Sequence, residues 1–112
     1  MNKIDIIYQK QREYAYVKSV NIYRDFFGEE CSQYSMKVSL AKLPCWNEEE
    51  VFCITFEAIR NLKIGDLDNL FKASFEINLI AEYQYEDIKY HVKECENDLF
   101  SFFCKKIEFE LC

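Results

Sequence analysis

The sequence predicts a mainly β protein: a single antiparallel β-sandwich or partly closed barrel of six or seven strands, with one short helix allowed at the N-terminus. Three observations predict it. Segment after segment alternates apolar and polar residues at period two, as strands with one buried face do. The aromatic content is high, with ten Phe, eight Tyr and one Trp in 112 residues, and aromatic side chains suit a pleated, half-buried surface. Connections are short and no strand–helix–strand rhythm appears, which disfavours a parallel sheet and leaves antiparallel strands closed or stacked. Residues 1–112 form one domain. A chain of this size buries roughly two-thirds of the surface its unfolded form exposes, enough for one core.

From the N-terminus, Asn2–Tyr14 admits two readings. Asn2 as a cap, with Asp5 near the positive end of the dipole, gives a helix with Ile4, Ile7 and Tyr8 on one face. Alternation through Ile4, Ile6 and Tyr8 gives a strand; the helix is preferred. Tyr16–Arg24 reads as a strand with Val20 and Ile22 inward, and Asp25–Gln33 as a loop. Tyr34, Met36, Val38 and Leu40 alternate with Ser35, Lys37 and Ser39 in a half-buried strand. Pro44 then stops pairing, and Lys42–Glu50 forms a surface loop with Trp46 at its start and Glu48, Glu49 and Glu50 behind it.

The organising stretch is Val51–Gly65. Phe52, Ile54, Phe56 and Ala58 share an apolar face opposite Val51, Cys53, Thr55 and Glu57. Leu62-Lys63-Ile64 repeats the alternation, so this is a strand pair or one long strand kinked near Arg60-Asn61. Asp66–Lys72 is a turn or a single helical turn. Phe75, Ile77, Leu79, Ala81, Tyr83 and Tyr85 alternate with Ser74, Glu76, Asn78, Glu82 and Gln84, the longest such run. Ile88, Tyr90 and Val92 alternate with Lys89, His91 and Lys93 after a tight Glu86-Asp87 connection, and Glu94–Asp98 reads as a polar turn. The last run changes parity: Phe100, Phe102 and Cys104, then Ile107, Phe109 and Leu111. Either a bulge near Cys104–Lys106 reconciles the two faces, or the chain is buried on both sides around Phe102-Phe103.

Charge and motif searches narrow the function classes. Fourteen basic against twenty acidic residues leave a net charge of −6. That sign disfavours nucleic acid and suits either plain solubility or a basic protein partner. No signal-peptide pattern opens the chain and no run approaches the ~18 apolar residues of a membrane span. A cytoplasmic protein with its six cysteines (31, 45, 53, 95, 104 and 112) reduced is the expectation. The cysteines lack the close pairing of zinc ligands, so no metal is expected, and two distant glycines cannot form a phosphate loop, so no cofactor is expected. His91, the one histidine, shares parity with Lys89 and Lys93 on the wet face, where a solvated histidine is the ordinary case and a triad has no second histidine to use. Asp66/Asp68, Glu82/Glu86 and Glu108/Glu110 are candidate carboxylate pairs, but catalysis needs two held across a cleft, and Glu108 and Glu110 alternate with Ile107, Phe109 and Leu111 as an exposed strand face does. Tyr83, Tyr85 and Tyr90 serve either as rim aromatics of the core or as a binding surface. No catalytic residue is assigned, and no enzyme is expected.

Several segments together resemble the Immunity protein 50 family of bacterial polymorphic-toxin systems. They are Val20-Asn21-Ile22-Tyr23-Arg24-Asp25; the strand Met36–Leu40 running into Leu43-Pro44; Trp46 in the following loop; F-x-A-I-x-N-L-K-I-G from Phe56 to Gly65; and F-F-C-K-K-I-E-F from Phe102 to Phe109. The similarity spans about residues 17–111. It implies a non-catalytic protein that binds the effector domain of a cognate toxin and blocks it in the producing cell. The −6 charge and the glutamate cluster beside Trp46 put the expected contact residues on the loop, Trp46, Glu48, Glu49 and Glu50, with a second candidate face on the polar side of the long strand, Glu76, Asn78, Glu82 and Gln84. Carboxylates would speed encounter and the aromatic ring would prolong residence. The alternative is a small-ligand-binding β-barrel, which would hold an apolar cavity where an inhibitor has a filled core.

Overall fold

In a computed structural model, which describes residues 3–24, 34–42, 50–80 and 89–111, one helix and eight strands build two four-stranded antiparallel sheets. Helix α1 (Lys3–Glu13) precedes β1 (Tyr16–Arg24), β2 (Tyr34–Ala41), β3 (Phe52–Glu57), β4 (Arg60–Ile64), β5 (Phe75–Leu79), β6 (Tyr90–Glu94), β7 (Phe100–Cys104) and β8 (Lys106–Leu111). The first sheet runs β1-β2-β3-β8 and the second β4-β7-β6-β5. The arrangement is a sandwich rather than a closed barrel.

The strand count exceeds six or seven because two runs change sheets. The stretch around Phe56 leaves the first sheet at Ala58, whose φ of 57° is left-handed, and enters the second at Arg60. The break thus lies at Ala58-Ile59, ahead of the expected Arg60-Asn61, although Asn61 is also left-handed (φ 56°) and the β4–β7 register shifts between Arg60 and Lys63. The parity change near the C-terminus has the same origin: Lys105 separates β7 in the second sheet from β8 in the first, and its amide bonds the Glu57 carbonyl at 3.0 Å. β3 pairs with β8 and β4 with β7, so one two-stranded ribbon bends around a corner of the sandwich. Such corners are where strands switch sheets.

The core lies between the sheets. Phe56 on β3 meets Phe102 on β7 edge-on at 4.9 Å and Phe75 on β5 at 5.5 Å, and Met36, Val38, Leu40, Phe52, Ile54, Val92 and Ile107 fill the space around them. The alternation read in β2 and β3 is the one observed. Ile22 departs from it. Its register with Met36 places it inward, yet it is 43 % exposed, because it stands at the far end of an edge strand. Leu79 is likewise exposed, at the end of β5. The helical reading of the N-terminus holds: Ile7 is buried, and Ile4 and Tyr8 pack on the core beside it. A single 3₁₀ turn, Leu67–Asn69, follows Gly65, which admits no side chain because a Cβ would overlap the Asp98 carbonyl.

Of the expected long strand, β5 covers Phe75–Leu79, Ile80 lies outside the strand, and the described segment ends there. Its continuation with Tyr83 and Tyr85, the Asn2 cap, the loop of residues 25–33, and Cys31, Cys45 and Cys112 lie outside the described residues.

Two side chains of α1 finish the outer edge of β5. The Tyr8 hydroxyl donates to the Ile77 carbonyl at 3.0 Å and accepts from the Ile77 amide at 2.8 Å. The Gln11 amide does the same for both backbone groups of Phe75, at 2.9 Å each. An unpaired strand edge would recruit another chain, and the helix occupies it. The polar turn expected at Glu94–Asp98 lies between β6 and β7, but Glu94, the last residue of β6, is a second buried polar group. This side chain is 0 % exposed; its carboxylate accepts from the amides of Ser74, Glu96, Asn97 and Leu99. It ties the turn after β6 to the start of β5.

Candidate partner-binding face

Opposite residues of an antiparallel pair project to the same side of the sheet, so the strand registers give the outer face of the second sheet directly. One row crosses it as Arg60, Phe103, His91 and Asn78, and the next as Lys63, Ser101, Lys93 and Glu76. The rows between them point inward, as buried Val92, Phe102 and Ile77 show. At the centre the His91 ring lies 4.8 Å from that of Phe103, and both side chains are half-buried. Lys89, two residues before His91, is exposed and sits 5.7 Å from the Tyr90 ring.

The outer face of the first sheet is built differently. Its cations and carboxylates engage one another: Lys37 with Glu110 at 3.7 Å, Lys106 with Glu57 at 3.9 Å and with Glu108 at 3.4 Å, and Lys3 from the helix with Glu108 at 3.4 Å. Slight desolvation works against it, but Lys106 and Lys3 together hold the Glu108 carboxyl below its ordinary range, and its pairs fade only as pH falls through that lowered value. Cys53 is buried on this side beside Ser39, at 3.5 Å.

A cleft of about 610 Å³ opens outside the core between α1 and the start of β5, lined by Tyr8, Gln11, Arg12, Lys72, Glu76 and Cys95 among others. Local desolvation, then the neighbouring Glu76 carboxylate, raise the Cys95 thiol above its ordinary range. An activated nucleophile needs the reverse. Burial pushes Cys104 up to about 12, and Cys95 and Cys104 are free thiols.

Of the expected contact residues, Trp46, Glu48, Glu49, Glu82 and Gln84 lie outside the described residues. Glu50 is exposed and accepts a hydrogen bond from the Tyr14 hydroxyl. Glu76 and Asn78 do project outward together from β5, but the strands beside them contribute cations and an aromatic ring rather than further carboxylates. Phe103 and Lys63 were not among the expected contacts. The parity of β7, opposite to buried Phe102, was the available signal for Phe103; Lys63 required the β4–β7 register. No helix among the described residues is long and apolar enough to cross a membrane.

The family model described as Immunity protein PIM8 matches residues 1–110. The resemblance noted above therefore holds at the level of an immunity-protein family, under that description rather than Immunity protein 50. Among curated proteins and among solved structures, none matches the chain.

Proposed function

The chain belongs to the PIM8 immunity-protein family, and from that premise we propose that it binds the effector domain of a cognate protein toxin and neutralises it by steric and electrostatic blocking, in the cytoplasm and without catalysis. The family match over residues 1–110 is the observation that carries this reading. The interior supports it: phenyl rings of Phe56, Phe75 and Phe102 occupy the space that a ligand-binding barrel would keep open. The 610 Å³ cleft lies outside that core, and charged side chains contribute to its rim. A rigid body with a filled core and a distinctive surface suits pre-organised capture of another protein, because little ordering entropy is lost on binding.

Co-expression with the product of the adjacent gene tests the proposal. Stable co-purification and rescue of growth from that product are expected. A toxin that stays lethal and never co-purifies would falsify the reading.

A further inference from the structure

We infer that the outer face of the second sheet is the docking surface, and that its partner is a protein presenting an acidic patch. This deepens the toxin-binding reading and rests on it. The chain carries −6 overall, yet the permanently charged residues in the two central rows of this face are Arg60, Lys63 and Lys93 against the single carboxylate of Glu76. On the first sheet Lys37, Lys106, Glu57, Glu108 and Glu110 are engaged in ion pairs. Lys63 and Lys93 have no ion-pair partner among the described residues. A cationic island on an acidic protein offers complementary steering to a carboxylate-rich surface and repels a basic one. Phe103 with His91 against it supplies the half-buried aromatic centre that interface hot spots favour, with long charged side chains around it to exclude water.

Four strands about 4.8 Å apart and five residues at about 3.4 Å give a plane of roughly 300 Å². A standard interface takes about 800 Å² from each partner, so this face forms the centre of a contact whose rim extends beyond it. A basic sheet with an aromatic centre is also a form that stacks single-stranded RNA. The immunity-protein family match over residues 1–110 is what favours the protein partner.

The test uses the intact chain and two probes. Association with the purified toxin domain encoded by the adjacent gene is followed for wild type, Lys63→Glu/Lys93→Glu, Phe103→Ala and the first-sheet control Lys37→Glu, each checked for an unchanged far-ultraviolet spectrum. The double reversal should slow association about tenfold at low salt, with the difference shrinking at high salt. Phe103→Ala should speed dissociation about tenfold, and Lys37→Glu should behave as wild type. In parallel, amide shifts are mapped with a poly-glutamate peptide and with an oligouridylate; the peptide should move Lys93, Ser101 and Phe103. Wild-type binding that the double reversal leaves unaltered overturns the site while leaving the function intact. Failure of wild type to bind the toxin overturns both. Tighter binding of the oligouridylate than of the peptide overturns the choice of partner.

Discussion

The two sheets share a core but are held in different ways. In the first, β1, β2, β3 and β8 pair in order, and ion pairs cross its outer face, with Lys3 of the helix joining Glu108. The second is completed by groups from outside its ladder. Tyr8 and Gln11 close the edge of β5, and the buried Glu94 carboxylate gathers four backbone amides from the segments at one end. The difference teaches where substitutions are tolerated. On the second sheet stability resides at the edge and the end, leaving the middle of its outer face with little structural duty.

Breaking the anchor should produce the largest effect. Glu94→Ala leaves four amides, that of Leu99 buried, without their acceptor and is expected to cost about 2–3 kcal/mol, read as a lowered midpoint in chemical denaturation. Glu94→Gln keeps the shape but has one acceptor oxygen and should cost less. Loss of the edge cover should come next. Gln11→Ala and Tyr8→Phe are each expected to cost about 1–2 kcal/mol. They should also raise self-association in sedimentation experiments, because the β5 edge becomes available for pairing.

A smaller effect appears at alkaline pH. Burial raises the folded Cys104 thiol from 9.0 to about 12. Above pH 9 the unfolded chain loses that proton while the folded one keeps it, so stability falls as pH rises through the window from 9 to 12. By pH 10 the loss should reach about 1.4 kcal/mol. Cys104→Val should flatten that part of the pH–stability curve whatever it does to the midpoint at pH 7. Last, Lys37→Ala removes an exposed pair with Glu110 and should shift the midpoint by no more than a few tenths of a kcal/mol. A large loss there would erase the contrast between the faces.

Much of the fold was legible residue by residue. Met36, Val38 and Leu40, and Phe52, Ile54 and Phe56, lie inward as their period requires, and Phe100, Phe102 and Cys104 keep one parity until Lys105. The parity change was visible too, but its meaning was not. A bulge inside one sheet and a strand crossing to another give the same local pattern, and only long-range pairing separates them. Glu94 was hidden for a related reason. In Glu94-Cys95-Glu96-Asn97-Asp98 the polar residues look like turn chemistry, and the inward turn of one carboxylate depends in part on the Ser74 amide, twenty residues away in the chain.

The candidate face divides in the same way. Parity alone set Lys89, His91 and Lys93 on one side of a strand and Glu76 and Asn78 on one side of another. Their union with Arg60, Lys63 and Phe103 depended on register among β5, β6, β7 and β4. By itself the sequence determined the strand content, the inward residues and the net charge, because side-chain alternation and ionisation are properties of short stretches. The tertiary structure alone decided which strands became neighbours, where the chain turned from one sheet to the other, and which charged residues came to share a face. Pairing joins residues far apart in the chain, and no local periodicity encodes the partner.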